Sequence, residues 1–263
     1  MSILIIEILP QGMIFAADKN VTVSEEIERL EGVAVYQAQD VGSKILRWPH
    51  NRGLIGAVGL AEIGGRSIYD RLYDFVGDHV DFSDPGSVAT DLRDLLQRIA
   101  GNLNPPEELI VEFGTFTKRD GVTVPEMWHV TNIHGINKQT GEYDPPINEF
   151  RAAEQICGVH LKDTPVRNIK SHLATRAALH DPFWFHQGIS LVVFNTLEQG
   201  VKEAFRALQG YGRLQPPKTL KDWEAHARMW VLIYGAYFEA FGDPGQKFVG
   251  GGADVLSIAW PDH

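Results

Sequence analysis

Apolar residues fall into two rhythms along this chain, and each rhythm marks a kind of element. Ser2 to Leu9 (SILIIEIL) and Met13 to Ala17 (MIFAA) are apolar runs, the first rich in β-branched residues, with Pro10, Gln11 and Gly12 between them. They predict a β-hairpin with a short turn. Val33–Gln37 (VAVYQ) and Ser43–Trp48 (SKILRW) predict a second strand pair, and Gly53–Gly59 (GLIGAVG) a buried strand. From Leu60 to Val76 the period changes, with Ala61, Ile63, Ile68, Leu72 and Phe75 on one helical face. Ser87 can cap a second helix that runs to about Ala100 along Leu92, Leu95, Leu96 and Ile99. Asn104, Pro105 and Pro106 end it. Glu108–Thr117 and Glu126–Ile133 predict strands across the turn Arg119-Asp120-Gly121.

Residues 134 to 186 hold Pro145-Pro146 and keep no sustained period. Helices resume at roughly Gly188–Leu208 and Thr219–Phe241. In the second, Trp223, Trp230, Tyr234, Tyr237, Phe238 and Phe241 recur at three and four, the mark of a buried stripe. Val249 to Trp260 (VGGGADVLSIAW) predicts a final strand behind three glycines. The order of strand pairs, helices, strands, helices and strand predicts an α+β chain, antiparallel sheets covered by segregated helices. A single domain over 1–263 is expected, with an insertion at about 134–218.

Composition narrows the classes. Of 263 residues, 44% are hydrophobic and 22% charged, which excludes disorder, collagen and long coiled coil. The formal charge of −10 argues against a nucleic-acid partner and against an anionic membrane surface. No apolar run approaches the length of a membrane-spanning helix. The lone cysteine, Cys157, permits no internal disulfide and no thiolate zinc cage; it reads as a small buried hydrophobe, and a cytoplasmic setting is expected. The opening MSILIIEILPQG lacks a basic region before its apolar run, so no signal peptide is expected. His129-x4-His134 and His180-x5-His186 do not have the spacing of a ligand pair on one helical face, so no metal is expected. G-x-G-x-x-G, Walker A, G-x-S-x-G and HExxH patterns are all missing, and no cofactor is implied.

The informative constellation lies in the first 62 residues. Ser2 follows the initiator Met, and Gly12-Met13-Ile14-Phe15-Ala16-Ala17-Asp18 ends in an acid sixteen residues beyond Ser2. Lys44-Ile45-Leu46 opens a strand, and Gly59-Leu60-Ala61-Glu62 stands where a strand gives way to a helix. Gly250-Gly251-Gly252 precedes the last strand. This arrangement resembles the proteasome β-type family of N-terminal nucleophile hydrolases over about residues 1–120 and 219–260. In that family the acid closes a G-[VI]-[VI]-x-A-[AG]-D motif.

The resemblance implies a four-layer αββα sandwich of two antiparallel sheets and a catalytic set. Ser2, exposed by removal of Met1, would be nucleophile and, through its α-amine, base; a free α-amine titrates near about 7.7–8, close to working pH. Lys44 would lower that amine's affinity for a proton, Asp18 would hold Lys44, and the Gly59 N–H would stabilise the oxyanion. Glu239 or Asp243 would supply a further acid that the family carries before its last strand. Val21, Gly42 and Ala57 would line a roomy apolar pocket beside the lysine. The implied substrate is a peptide or protein, and the implied assembly a homo-oligomeric ring, with an ATPase partner left open. Two alternatives stay open: a non-catalytic structural or binding subunit with the same fold, and an acyl-transfer ligase using the same serine.

Overall fold

The computed structural model describes residues 3–30, 33–40, 43–80, 84–135, 143–155, 161, 163–178, 183–187, 191–212, 215, 217–241 and 251–261. In chain order the strands are β1 (Leu4–Leu9), β2 (Gly12–Asp18), β3 (Asn20–Leu30), β4 (Val33–Asp40), β5 (Ile45–Arg47), β6 (Gly53–Gly59), β7 (Glu62–Ile63) and β8 (Arg66–Ser67). Helices α1 (Ile68–Asp78) and α2 (Pro85–Ala100) follow, then β9 (Leu109–Arg119), β10 (Val122–Thr131) and β11 (Arg151–Glu154). The chain ends with α3 (Ile169–Ala178), β12 (Phe183–Gln187), α4 (Leu191–Gly210), α5 (Leu220–Phe241) and β13 (Ala253–Ala259).

This is a mixed α/β chain, and every strand pairing among the described residues is antiparallel. One sheet has the order β12-β1-β2-β13 and a second the order β11-β10-β9-β6-β5. Among the described residues β3 and β4 pair only with each other, as do β7 and β8.

Side-chain alternation sorts the apolar residues into three clusters. The first takes Leu4, Ile6, Ile8, Met13, Phe15 and Ala17 from the four-stranded sheet and Ile45, Leu54, Val58, Ile110 and Met127 from the five-stranded one. The second joins the alternate residues Ile55, Ala57, Leu109, Val111 and Phe113 to α1 and α2. The third joins Ile3, Ile5, Leu9, Ile14 and Ala16 to the stripe Trp223, Ala227, Trp230, Tyr234 and Phe238 of α5. β1 and β2 are therefore buried on both faces, which is why their sequences are near-continuous apolar runs, broken only by Glu7 and by Asp18 at the end of β2.

The helices start where local chemistry permits. Ser67 caps α1 by accepting the Tyr69 N–H at 3.0 Å. At α2 the cap is Asp84, which accepts the Gly86 N–H at 3.1 Å with Pro85 in the first turn. Ser87, expected as the cap, instead donates its hydroxyl to Asp84 at 2.8 Å. An acceptor already charged holds the orphan N–H more strongly than a hydroxyl does.

Several expectations shift. β4 pairs with β3, a strand that the pattern did not mark, and β5 pairs with β6 (Ile45↔Gly56, Leu46↔Ile55). The stretch from Leu60 to Ser67 is not helical: β7 and β8 form a small hairpin through Gly64 and Gly65, both at positive φ, which a helix cannot hold. Within 134–218, β12 joins the first sheet against β1 (Ile6↔Phe185), and β11 extends the second against β10. Cys157 lies outside the described residues. No helix of the described residues is long and apolar enough to cross a membrane.

Candidate functional site

β2 ends on Asp18 and β5 begins just after Lys44, so the strand pattern sets both side chains at an element boundary. Lys44 Nζ lies 2.9 Å from Asp18 Oδ1, and both side chains are 0% exposed. The same carboxylate oxygen accepts the backbone N–H of Ile3 at 2.8 Å. The Asp18 N–H in turn donates to the Ile3 carbonyl at 3.3 Å. One oxygen thus ties the start of β1 to a buried cation. Charge-assisted bonds of this kind persist in a core because each charge has a partner. Burial pushes the Lys44 ammonium below the ordinary lysine range, and the Asp18 carboxylate opposes that shift.

The backbone around the pair is also fixed. The Ala57 N–H donates to the Lys44 carbonyl at 3.4 Å, which sets Ala57, itself buried, against the lysine. Ser43 Oγ donates to the Ile45 carbonyl at 2.7 Å, bracketing Lys44 in a tight turn. On the other side Asp18 stands opposite Ala253 of β13. Next to it, Lys19 Nζ reaches Asp254 Oδ1 at 3.5 Å, and Arg228 donates to the Ala253 carbonyl at 2.5 Å. Tyr69 feels this charge: its hydroxyl is pushed up first by burial and then by the Asp18 carboxylate.

Gly59 ends β6, two residues beyond Ala57, at φ +98°. A Cβ there would stand 2.1 Å from the Glu108 carbonyl oxygen, so only glycine fits. The neighbouring Leu60 N–H donates to that same carbonyl at 2.7 Å. Asn132 holds this corner, donating to the Glu107 carbonyl at 2.8 Å and accepting the Leu109 N–H at 3.0 Å. The expected helix N-terminus at Gly59 is replaced by the β7–β8 hairpin, and α1 begins only at Ile68. A helix dipole therefore adds nothing to the Gly59 N–H, because the effect fades within a turn.

Of the other expected residues, Val21 lies in β3 opposite Gln39, and Glu239 is exposed on α5. Ser2, Gly42 and Asp243 lie outside the described residues. Asp18, Lys44 and Ala57 are thus brought together, with Gly59 farther along the Ala57 strand.

Two buried polar groupings were not singled out in the sequence. Glu112, fully buried on β9, bonds His129 Nδ1 of β10 at 2.5 Å. Burial alone would lower the His129 value, but the Glu112 carboxylate outweighs it and holds the imidazole above its ordinary range. For the acids burial acts in the opposite sense: it raises Glu108, and it raises Tyr143 together with the charges of Glu108 and Glu112. The second grouping is Glu7 of β1 with His226 of α5, at 2.7 Å. A signal for it existed: Glu7 is the one charged residue within the buried run Ile3–Leu9.

No protein-family model matches the chain, and no curated protein matches it. Among solved structures, the chain is similar to the Anbu (Gly-1) mutant from Hyphomicrobium sp. strain MC1, at 11% identity and a TM-score of 0.49, over 98% of this chain and 82% of that one. A likeness at that level says nothing of chemistry.

Proposed function

We propose that the chain is an amide hydrolase that uses Ser2, freed by removal of Met1, as an N-terminal nucleophile on peptide or protein substrates. One observation carries the reading: a wholly buried Lys44–Asp18 pair whose carboxylate also holds the backbone N–H of Ile3, one peptide bond from Ser2. That contact supports the reading because an N-terminal nucleophile needs its amine and hydroxyl both held in place.

In this reading the free α-amine of Ser2 takes the hydroxyl proton as Oγ attacks the substrate carbonyl. The Lys44 ammonium disfavours a second positive charge nearby and so keeps the amine unprotonated at working pH. The Gly59 N–H faces the developing oxyanion. Collapse of the tetrahedral intermediate breaks the C–N bond, and the amine's proton goes to the departing amine. Water then attacks the ester, and the acid leaves with Oγ reprotonated. Ala57, with Val21 and Gly42, belongs to the side-chain pocket.

The three apolar clusters support the finer architecture, a four-layer αββα sandwich with α1 and α2 on one outside and α5 on the other. Assembly as a homo-oligomeric ring belongs to the same proposal.

The test is intact mass before and after a β-lactone acylating probe. The expected result is a chain one methionine lighter that gains one probe, with the gain lost in Ser2→Ala. A retained Met1 with no adduct would overturn the reading and leave the non-catalytic alternative.

A further inference from the structure

β1 reads Leu-Ile-Ile-Glu-Ile-Leu and is buried on both faces. Such a strand has a register problem. A one-residue slip exchanges its faces, but a two-residue slip returns every side chain to the same face. With Ile3, Ile5 and Leu9 on one face and Leu4, Ile6 and Ile8 on the other, the middle of the strand outside Glu7 is equally apolar in the native register and in that slip, and apolar burial changes only at its ends. The hairpin turn specifies little more. Neither Pro10 nor Gln11 takes a positive φ, so the connection is not one of the primed turns that lock a two-residue hairpin.

Glu7 breaks the degeneracy. It is 0% exposed, stands among the α5-facing residues, and its Oε1 lies 2.7 Å from His226 Nδ1. The Trp230 indole N–H, which can only donate, lies 3.2 Å from His226 Nε2. Nε2 is therefore an acceptor, and Nδ1–H is the donor to Glu7. The edge of the buried Trp223 ring closes on the same imidazole at 5.0 Å between centroids. The imidazole is held in place and tautomer from its own helix, and it offers one N–H to one position of β1. Either two-residue slip would bury the Glu7 carboxylate where Ile5 or Leu9 now sits, away from that donor.

We propose that Glu7 is the register pin of β1. Through His226 it fixes which residue of an otherwise interchangeable strand stands opposite Asp18, and so determines that the start of the chain meets the Lys44–Asp18 pair. A two-residue slip moves the strand by about 7 Å. That would remove the Ile3 N–H from its 2.8 Å bond to Asp18. Glu7 and His226 are positioning residues in this scheme and touch no reacting atom. The consequence for Ser2 rests on the proposed function; the register itself does not.

The test is the pattern of cross-strand amide contacts between β1 and β2 by NMR, read beside probe labelling. In the wild-type protein Ile5 stands opposite Ala16. Glu7→Gln keeps an acceptor for the His226 N–H, so it is expected to retain one set of contacts and full labelling. Glu7→Leu is expected to add a second set, in which residue 3 or residue 7 stands opposite Ala16, with labelling reduced in proportion to that set. If Glu7→Leu does not fold, Glu7→Leu/His226→Leu replaces both polar partners and is read in the same way. One native set of contacts in whichever apolar variant folds would overturn the proposal. A wild-type protein that takes no probe would sink the hydrolase reading, while the contact pattern still decides the pin.

Discussion

Replacing Lys44 with methionine removes the cation from a site that water does not reach. The native pair is 2.9 Å apart with neither side chain exposed, so Asp18 in Lys44→Met keeps the Ile3 N–H but loses its counter-charge. Breaking a buried pair from one side costs about 3–5 kcal/mol. For 263 residues the entropy of unfolding is about 0.55 kcal/mol per kelvin, so the expected fall in Tm is about 5–9 °C. The double variant Asp18→Leu/Lys44→Met removes both charges. It should recover all but about 1–2 kcal/mol, the remainder being the acceptor that the Ile3 N–H loses. Calorimetry of the four proteins closes the cycle and gives the coupling directly. Probe labelling should be lost in all three variants, whatever their stability. That contrast separates a pair kept for chemistry from one kept for folding. A Lys44→Met protein within about 1 kcal/mol of wild type, or a double variant whose loss is the sum of the single losses, would refute the reasoning.

Three further outcomes follow from the structure. His129 sits above its ordinary value because of Glu112, so this pair stabilises the fold fully below about pH 6.5 and stops doing so as pH rises through the raised native value; Glu112→Gln should flatten that part of a Tm-against-pH curve, and an unchanged slope would show that the pair is not linked to folding. Gly59→Ala sets a Cβ against a carbonyl at φ +98° and should cost about 2–4 kcal/mol along with probe labelling. Gly114→Ala crowds the Met13 thioether, the far end of a flexible side chain, and meets the Phe15 ring at ordinary contact distance, so about 1–2 kcal/mol is expected in a denaturant titration, with labelling retained.

The parts of the fold legible in the sequence are those where burial has one period. β1, β2, β9 and β10 are long apolar or alternating runs, and α2 and α5 carry unbroken helical stripes. The parts that were not legible depend on distant partners. β12 is a strand because it pairs with β1, about 180 residues away in the chain. Asn20–Leu30 holds three glutamates and alternates poorly, so nothing local marks it as the partner of β4. The apolar positions of 60–67 mimic a helical face, but two glycines turn the chain into a hairpin instead. At the candidate site, Asp18, Lys44 and Gly59 could be named because each ends or begins a strand at a motif residue. Glu108 and Asn132 could not, because their part is to hold a carbonyl behind Gly59, which no spacing encodes. Glu7 was visible as an oddity, but its partner His226 is separated from it by 219 residues.

The β3–β4 ribbon begins two residues beyond Asp18 and ends four residues short of Lys44, and among the described residues its strands pair only with each other. The ion pair is therefore a clasp across the ribbon's two feet. Closing a flexible loop costs only about 0.6 kcal/mol more for each doubling of its length. The stretch between the two feet can then be shortened, lengthened or exchanged for a foreign segment at little cost to the clasp. That stretch is a natural insertion point for an affinity tag or a reporter strand, its middle more than ten residues along the backbone from either buried charge.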